Sequence, residues 1–285
     1  MILIVLNDAC AYCIVVAHNI SLQLYLCCCP YISCVFKHIT KIGMPKSFEF
    51  VDIYGLELDL LEMVSQTSKR IAAVILLFPC SSAIYTARRL EEKVLRRRMD
   101  INISEDDGDD PNNCDDIVKP HHDAFFLVQH AEFGNACGTI ACMHAITNAG
   151  FEKEVNNNTP LTNFCNENSN ATPSERGRAL LRTKSLKMSS DSQAQSNVAQ
   201  TSCPERDGPD LDHHFVSFSL INGRLVELDG TKICAIDHGA VVPVNGQGFL
   251  LRAVEVIQRN FMNVDPENIE FSLMALREGN GNGES

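Results

Sequence analysis

One cysteine stands among small residues directly before an apolar helical pattern. Cys137 lies in the segment Gly134–Asn148, GNACGTIACMHAITN, where a helix would begin at the cysteine. The dipole and the backbone N–H groups at a helix N-terminus favour a thiolate, and the same N–H groups can donate to an oxyanion when the thiolate attacks a carbonyl. Cys137 is therefore a candidate nucleophile, and a buried structural cysteine is the alternative. Cys142, five residues later, fits the packing role better.

A nucleophilic cysteine needs a general base, and the base needs an acceptor that orients it. His214 opens the first strand of a predicted hairpin whose turn is Asn222–Gly223, and Asp229 ends the second strand. Because a two-residue turn brings the outer ends of two antiparallel strands together, the hairpin predicts an imidazole beside a carboxylate. The alternatives are a surface pair or a fortuitous metal site for His213–His214, and an ordinary Asp–Gly turn for Asp229.

The elements that would position these residues follow from the periodicity of apolar side chains along the rest of the chain. Strands are predicted at Ser47–Tyr54, Ile71–Phe78, Ala124–Gln129, His214–Ile221, Arg224–Leu228 and Ile269–Leu276. Besides the helix that follows Cys137, helices are predicted at Leu58–Val64, Ser82–Arg98, Pro160–Glu167, Pro173–Met188 and Gly246–Met262. Asn102–His122 is predicted to be a solvated acidic loop, and Ser189–Asp210 a mobile one. This order indicates an α+β fold with one main domain.

Composition excludes some classes of function. The 285 residues carry a net charge of −12, from 24 Lys and Arg against 36 Asp and Glu, so no basic surface is expected to neutralise nucleic-acid phosphates. An acidic surface suits a basic protein partner. The 13 cysteines are odd in number and follow no framework spacing, which is typical of a reduced intracellular protein.

Residues 1–36 differ from the rest of the chain. They are apolar and rich in cysteine, with no Lys, Arg, Asp or Glu between Ala9 and Phe36. An inert or artefactual extension, a membrane-associated segment that could carry palmitate, and a buried strand are all open interpretations. A membrane span is not favoured, because Pro30 and several polar residues interrupt the run. A metal site is weakly supported, because no CxxC pair faces a second pair.

Several separated motifs resemble those of the ubiquitin C-terminal hydrolases. Asn135–Ile140 is similar to the nucleophile motif of that family, and His214–Phe215 and Glu227–Gly230 resemble its histidine and aspartate motifs, in the family's order and separation. Further similarity runs through Phe50–Gly55, Ala73–Phe78, Pro173–Leu181 and Ile236–Gly239. The resemblance covers roughly residues 36 to 276.

The resemblance implies a papain-like fold, with a central antiparallel sheet flanked by helices and a knotted backbone. It implies a catalytic domain over residues 37–277, a crossover loop at 189–209 that limits the size of the leaving group, and a tail at 278–285. The implied reaction is hydrolysis after the C-terminal glycine of ubiquitin, or of a ubiquitin-like protein, without a cofactor. Cys137 would attack the carbonyl, His214 would move the proton, and Asp229 would orient the imidazole.

Two departures from the family pattern affect the site. The family's oxyanion-hole glutamine lies six residues before the cysteine, where this chain has Ala131, so the role is assigned to Gln129, two positions earlier. Residues 1–36 show none of the family's N-terminal pattern, and the chain has no tryptophan. These departures leave two alternatives to an active hydrolase: a catalytically impaired ubiquitin-binding module, and a variant tethered to a membrane by residues 1–36.

Overall fold

The computed structural model describes residues 42–99, 119–134, 136–150, 158–183, 186, 213–243 and 247–279. The seven strands are β1 (Phe48–Ile53), β2 (Ser68–Pro79), β3 (Lys119–His121), β4 (His213–Ile221), β5 (Arg224–Leu228), β6 (Ala235–Ala240) and β7 (Ser272–Gly279). The six α-helices within these ranges are α1 (Leu58–Gln66), α2 (Ser82–Met99), α3 (Cys137–Thr147), α4 (Pro160–Glu167), α5 (Pro173–Arg182) and α6 (Gly248–Asn260). Short 3-10 helices lie at Ala131–Phe133 and Met262–Val264.

The strands form one sheet in the order β1-β7-β2-β4-β5-β6-β3, and every neighbouring pair is antiparallel. Strands β2 and β4 lie in the middle of this sheet. Helices on both sides complete an α+β fold, which confirms the predicted central antiparallel sheet flanked by helices. The predicted knot in the backbone stays a prediction, because several connections between elements lie outside the described residues.

Two hydrophobic cores lie on opposite faces of the sheet, because alternate residues of a strand point to opposite sides. On β2, Ala73 and Ile75 join the core that also contains helix α3, whereas Val74 and Leu76 join the core that contains α6. All four are at most 1% exposed. The continuous apolar run of β2 is thus explained by burial on both faces, as the sequence predicted.

The hairpin β4–β5 forms as predicted. Its turn residues Asn222 and Gly223 have positive φ angles of 50° and 73°, which a type I′ turn requires and which Asn and Gly adopt at low cost. At the end of the hairpin away from the turn, the last paired residues are Ser217 and Leu228. The hairpin therefore brings His214 and Asp229 to the same end of the sheet.

The prediction of a strand at Ala124–Gln129 was wrong. The segment forms no ladder, because its backbone N–H groups donate to unrelated acceptors: Phe125 to the Asn148 side chain, Leu127 to the imidazole of His144, Val128 to the Pro173 carbonyl and Gln129 to the Gly230 carbonyl. It therefore lies between helices α3 and α5 and the β5–β6 connection. A Cβ at Gly177 of α5 would lie 2.0 Å from the Val128 oxygen, so this close approach requires glycine.

The predicted loop at Asn102–His122 was wrong at its end, where Lys119–His121 pairs with β6 as the edge strand β3.

Helix α5 begins as predicted, with Thr172 as its N-cap in a capping box with Glu175. The described part of the helix ends at Arg182, and most of the predicted extension to Met188 lies outside the described residues. Residues 1–36, the crossover loop 189–209 and most of the tail 278–285 also lie outside them. Within the described ranges, no helix is long and apolar enough to cross a membrane.

Candidate active site

Strand β4 and the end of β5 hold an imidazole against a carboxylate. His214 Nε2 lies 2.9 Å from Asp229 Oδ1, and both side chains are buried. The same carboxylate oxygen accepts from the backbone N–H of Thr231 at 3.0 Å and from its hydroxyl at 2.7 Å. Phe78, opposite His214 on β2, packs edge-on against the imidazole with ring centroids 5.5 Å apart. These contacts fix the orientation of both partners.

Helix α3 brings the third predicted residue to this pair. It begins at Cys137, which is 7% exposed, and every residue from Cys137 to Ile146 is buried. A helix that is apolar all round belongs inside a protein, and this one packs against β4 and β2. Cys137 lies close enough to His214 for its side chain to raise the pKa of the imidazole. The fold therefore places Cys137, His214 and Asp229 in one connected arrangement.

The electrostatics of the site favour an imidazolium. Burial by itself lowers the pKa of His214, but the charge of Asp229, the hydrogen bond to it and the interaction with Cys137 together raise that pKa to about 10. Burial by itself raises the pKa of Asp229, but His214, Arg88 and Lys232 hold it well below its usual range. A charged His214 between a carboxylate and a thiol is the arrangement that stabilises a thiolate nucleophile.

A buried ionic cluster lies behind Asp229. Arg88 of helix α2 donates from one terminal nitrogen to Asp229 Oδ2 at 3.0 Å and to Glu227, and from the other to Glu91 at 2.7 Å. Glu227 also accepts from His238 Nε2 at 2.8 Å. Burial by itself raises the pKa of Glu227, but Arg88 and His238 lower it to about 2, so Glu227 is ionised.

Gln129 lies close to this site. Its backbone N–H donates to the carbonyl of Gly230, the residue after Asp229, at 2.8 Å. Its side-chain Nε2 lies 3.4 Å from the Gly134 carbonyl, three residues before Cys137. The 3-10 turn Ala131–Phe133 lies between Gln129 and Cys137 along the chain. The structure thus brings Gln129 to the site, and its role as an oxyanion donor stays a prediction.

His144 connects three segments that carry site residues. It lies on α3, two turns after Cys137, and is completely buried. Its Nε2 accepts from the backbone N–H of Leu127 at 3.0 Å, and its Nδ1 lies 3.2 Å from the carbonyl of Leu228. Burial lowers the pKa of His144 to about 4, so the ring is neutral and Nδ1 is its donor. Leu127 and Leu228 stand just before Gln129 and Asp229, respectively.

Sequence reasoning missed Arg88, Glu227 and His144 as parts of this site. A signal for Arg88 was present, because it falls on the apolar stripe of α2 at four residues after Ile84 and seven before Leu95, both of which are fully buried. His213, by contrast, points to Glu270 at 3.4 Å. Among the described residues, no group of three or more His, Cys, Asp or Glu side chains is placed to hold a metal ion.

Comparison with known proteins adds to this geometry. A family model described as ubiquitin carboxyl-terminal hydrolase, family 1, matches residues 33–263. A ubiquitin carboxyl-terminal hydrolase of Drosophila melanogaster is 33% identical over 242 residues, which cover 84% of this chain and 91% of that protein. A probable ubiquitin carboxyl-terminal hydrolase of Dictyostelium discoideum is 33% identical over 239 residues, which cover 83% and 81%.

Solved structures give the same fold. The crystal structure of the Trichinella spiralis UCH37 catalytic domain bound to ubiquitin vinyl methyl ester superposes with a TM-score of 0.56 at 17% sequence identity. The superposition covers 90% of this chain and 96% of that one. The likeness confirms the fold that the sequence predicted.

Proposed function

Because the chain belongs to ubiquitin carboxyl-terminal hydrolase family 1, we propose that it is a deubiquitinating cysteine hydrolase that acts after the C-terminal glycine of ubiquitin. The observation that carries the proposal is the buried hydrogen bond between His214 and Asp229, with Cys137 against the same imidazole. A thiol, a base and an orienting carboxylate in this order are the parts that thiol-dependent acyl transfer needs.

The residues divide the reaction between them. Cys137 passes its proton to His214, and the thiolate sulfur attacks the carbonyl carbon of the terminal glycine. His214 then donates that proton to the leaving-group nitrogen, the carbon–nitrogen bond breaks, and the acyl group stays on the Cys137 sulfur as a thioester. His214 next takes a proton from water, whose oxygen attacks the thioester carbonyl; the carbon–sulfur bond breaks, His214 returns the proton to the sulfur, and ubiquitin leaves with a free carboxyl group. Gln129 and the backbone N–H groups at the start of α3 are the proposed donors to the oxyanion.

The proposed partners and setting follow from the family and the composition. Ubiquitin, or a ubiquitin-like protein, is the proposed partner, and the net charge of −12 suits a basic partner surface. Small or unstructured adducts are the proposed leaving groups, and ubiquitin-dependent protein catabolism in the cytoplasm or nucleus is the proposed setting. The His214–Asp229 pair is machinery that a binding module without turnover does not need, so the described site favours the hydrolase over that alternative.

The test is reaction of the purified chain with ubiquitin that carries a C-terminal vinyl methyl ester, followed by peptide mapping. We expect an adduct on Cys137 and none with the Cys137→Ala variant, which should still bind ubiquitin. Cys142→Ala is the matched control and should still form the adduct on Cys137. Burial raises the pKa of the Cys142 thiol to about 12, so that thiol should form no adduct. A folded chain that forms no adduct, or one on another cysteine, would overturn the proposal.

A further inference from the structure

Arg88 is a buried cation that touches the catalytic pair from behind. It is 7% exposed, although arginine is seldom buried without a partner. One of its nitrogens donates to Asp229 Oδ2 at 3.0 Å, and its guanidinium lies over the ring of Phe261 at 4.9 Å. Phe261 in turn packs against Phe78, the residue that contacts the imidazole of His214. The arginine is thus held by packing as well as by charge.

The two oxygens of Asp229 have different partners. Oδ1 accepts from His214 and from both donors of Thr231, whereas Oδ2 accepts from Arg88. A carboxylate can rotate about its last side-chain bond, and rotation would exchange the two oxygens or turn both away from the imidazole. Because Arg88 occupies Oδ2 from helix α2, it opposes that rotation and leaves Oδ1 directed at His214.

The groups around Arg88 keep its charge from cancelling that of Asp229. Glu227 of β5 and Glu91 of α2 both accept from the guanidinium, and Glu227 is itself held by His238 of β6. Lys232 donates to the Arg88 backbone carbonyl and lies 3.7 Å from Glu91. With Asp229 included, three carboxylates formally face the cations Arg88 and Lys232. Burial opposes charge in this cluster, since it raises the pKa of Glu91 and lowers that of Lys232.

We propose that Arg88 is a positioning residue of the active site, which holds the Asp229 carboxylate in the orientation that pairs with His214 and is itself held by Glu227. The inference rests on the proposed hydrolase function and deepens it. A purely structural role explains the contacts less well, because replacement of a buried ion pair by apolar residues is often neutral or stabilising. The arginine fixes the direction of one carboxylate, which an apolar side chain of the same size would not do.

Two variants of the full chain test this role. Arg88→Lys keeps a cation among the three carboxylates but replaces the planar fork, which holds Asp229 and Glu227 on one nitrogen and Glu91 on the other, with a point donor that cannot hold all three in the same geometry. The double variant Arg88→Met with Glu227→Gln removes the arginine and one carboxylate together, so the formal charge of the cluster is unchanged. Arg89→Met is the matched control, because Arg89 is the next residue on α2, is exposed and lies over the Tyr85 ring.

Two measurements separate positioning from stability. The first is kcat and KM for ubiquitin with a C-terminal fluorogenic amide. We expect kcat to fall about tenfold to a hundredfold in both Arg88 variants, as loss of groups that orient site residues commonly does, with KM within about twofold. The second is the pH dependence of Cys137 alkylation by iodoacetamide, which needs no ubiquitin. We expect the rise in alkylation rate to move to higher pH, because a loosened Asp229 supports the imidazolium–thiolate pair less well.

Each outcome decides the proposal. The proposal is supported if variants that remain folded by circular dichroism have a reduced kcat and an alkylation profile displaced to higher pH. If the double variant does not fold, Arg88→Lys alone decides the matter. A wild-type kcat in the Arg88 variants would overturn it. So would a lower kcat that only reflects loss of folded protein while the pH dependence of alkylation stays unchanged. If the wild-type chain fails to cleave the ubiquitin amide, the proposed function falls, and the alkylation comparison still tests Arg88.

Discussion

His214 Nε2 lies 2.9 Å from Asp229 Oδ1, which leaves Nδ1 as the ring nitrogen that can serve Cys137. The hydrogen bond therefore selects which nitrogen carries out proton transfer, in addition to holding the ring in place. Since both partners are buried, the carboxylate charge acts on the imidazole with little screening by solvent. The same contact with Asp229 thus orients the His214 imidazole and stabilises its charged form.

We expect Asp229→Asn to lower kcat strongly. The substitution keeps the size of the side chain but removes the charge that stabilises the imidazolium, and it leaves Arg88 facing an uncharged amide. In serine hydrolases the matching change lowers turnover about 10⁴-fold, and we expect a loss of at least about 10²-fold here. Steady-state hydrolysis of a ubiquitin amide is the measurement.

Thr231→Val is the control for that variant. It removes the hydroxyl that donates to Asp229 Oδ1 but leaves the backbone N–H bond and the charge. A loss of only a few-fold is expected. An Asp229→Asn variant that is as active as Thr231→Val would show that the carboxylate charge does not assist turnover.

The pH dependence of the wild-type reaction should reflect the raised pKa of His214. His214 must carry a proton in order to protonate the leaving group, and its pKa lies at about 10 in the folded chain. We therefore expect kcat/KM to hold its level through pH 8 to 9 and to decline near pH 10. In Asp229→Asn the decline should move down by several pH units, toward the usual histidine pKa of about 6.5 or below it. A wild-type decline centred near pH 7 would contradict the assignment.

The same pKa has a consequence for stability. It lies above the value in the unfolded chain, so the contribution of His214 is fully present below about pH 6.5. That contribution is lost as the pH rises through about 10. The loss of stability should therefore extend over about pH 6.5 to 10 and be complete where activity declines, near pH 10.

The sequence predicted that Cys137, His214 and Asp229 lie together because local patterns place them. A helix start positions Cys137, and the Asn222–Gly223 turn fixes the ends of one hairpin. Both signals act over short stretches of chain, where backbone conformation follows from residue type. The apolar run of β2 was equally informative, because burial on both faces leaves a continuous pattern.

The features that the sequence did not predict depend on contacts between distant segments. Residues 124–129 look like a strand, but their N–H groups donate to the side chains of His144 and Asn148 and to the carbonyls of Pro173 and Gly230. The edge strand Lys119–His121 has two polar residues around a central proline, a pattern typical of a loop, and it is a strand only because it pairs with β6. The apolar stripe of α2 indicates that Arg88 is buried, but its place beside Asp229 follows only from the contact between α2 and the residue after β5. Periodicity describes one segment at a time and cannot supply such partners.

Gln129 should contribute to turnover without contributing much to substrate affinity. If its side-chain amide donates to the oxyanion, Gln129→Ala lowers kcat about 10²- to 10³-fold with a small change in KM. Gln129→Glu keeps the size and removes the donor, so it should show the same loss. Adduct formation with ubiquitin vinyl methyl ester followed over time gives an independent rate for the first step.

The neighbouring turn offers a matched control for Gln129. Glu132 is exposed on the 3-10 turn Ala131–Phe133, and Glu132→Gln should leave kcat within about twofold. Wild-type kcat in a folded Gln129→Ala variant would assign the oxyanion to other donors. In that case the backbone N–H groups at the start of α3 become the candidates.

His144 should make the stability of the fold depend on pH between about 6.5 and 4. Its pKa falls from a usual 6.5 to about 4 on folding, because burial opposes the charged ring. The neutral ring therefore contributes stability that is present above about pH 6.5 and is lost as the pH falls toward 4, by up to roughly 3 kcal/mol. Urea denaturation of the wild-type chain at pH 7 and pH 5 measures this change in the free energy of unfolding.

His144→Phe separates the hydrogen bonds of that ring from its packing. Phenylalanine can keep the stacking on Phe126, whose ring centroid lies 5.1 Å from that of His144, but it leaves the Leu127 N–H and the Leu228 carbonyl without their partner. We expect a loss of roughly 2–5 kcal/mol at pH 7, from two buried groups, and a smaller fall in stability between pH 7 and pH 5 than in the wild-type chain. His122→Phe, at an exposed position, should change neither quantity. If His144→Phe keeps the wild-type difference between the two pH values, another group is responsible for it.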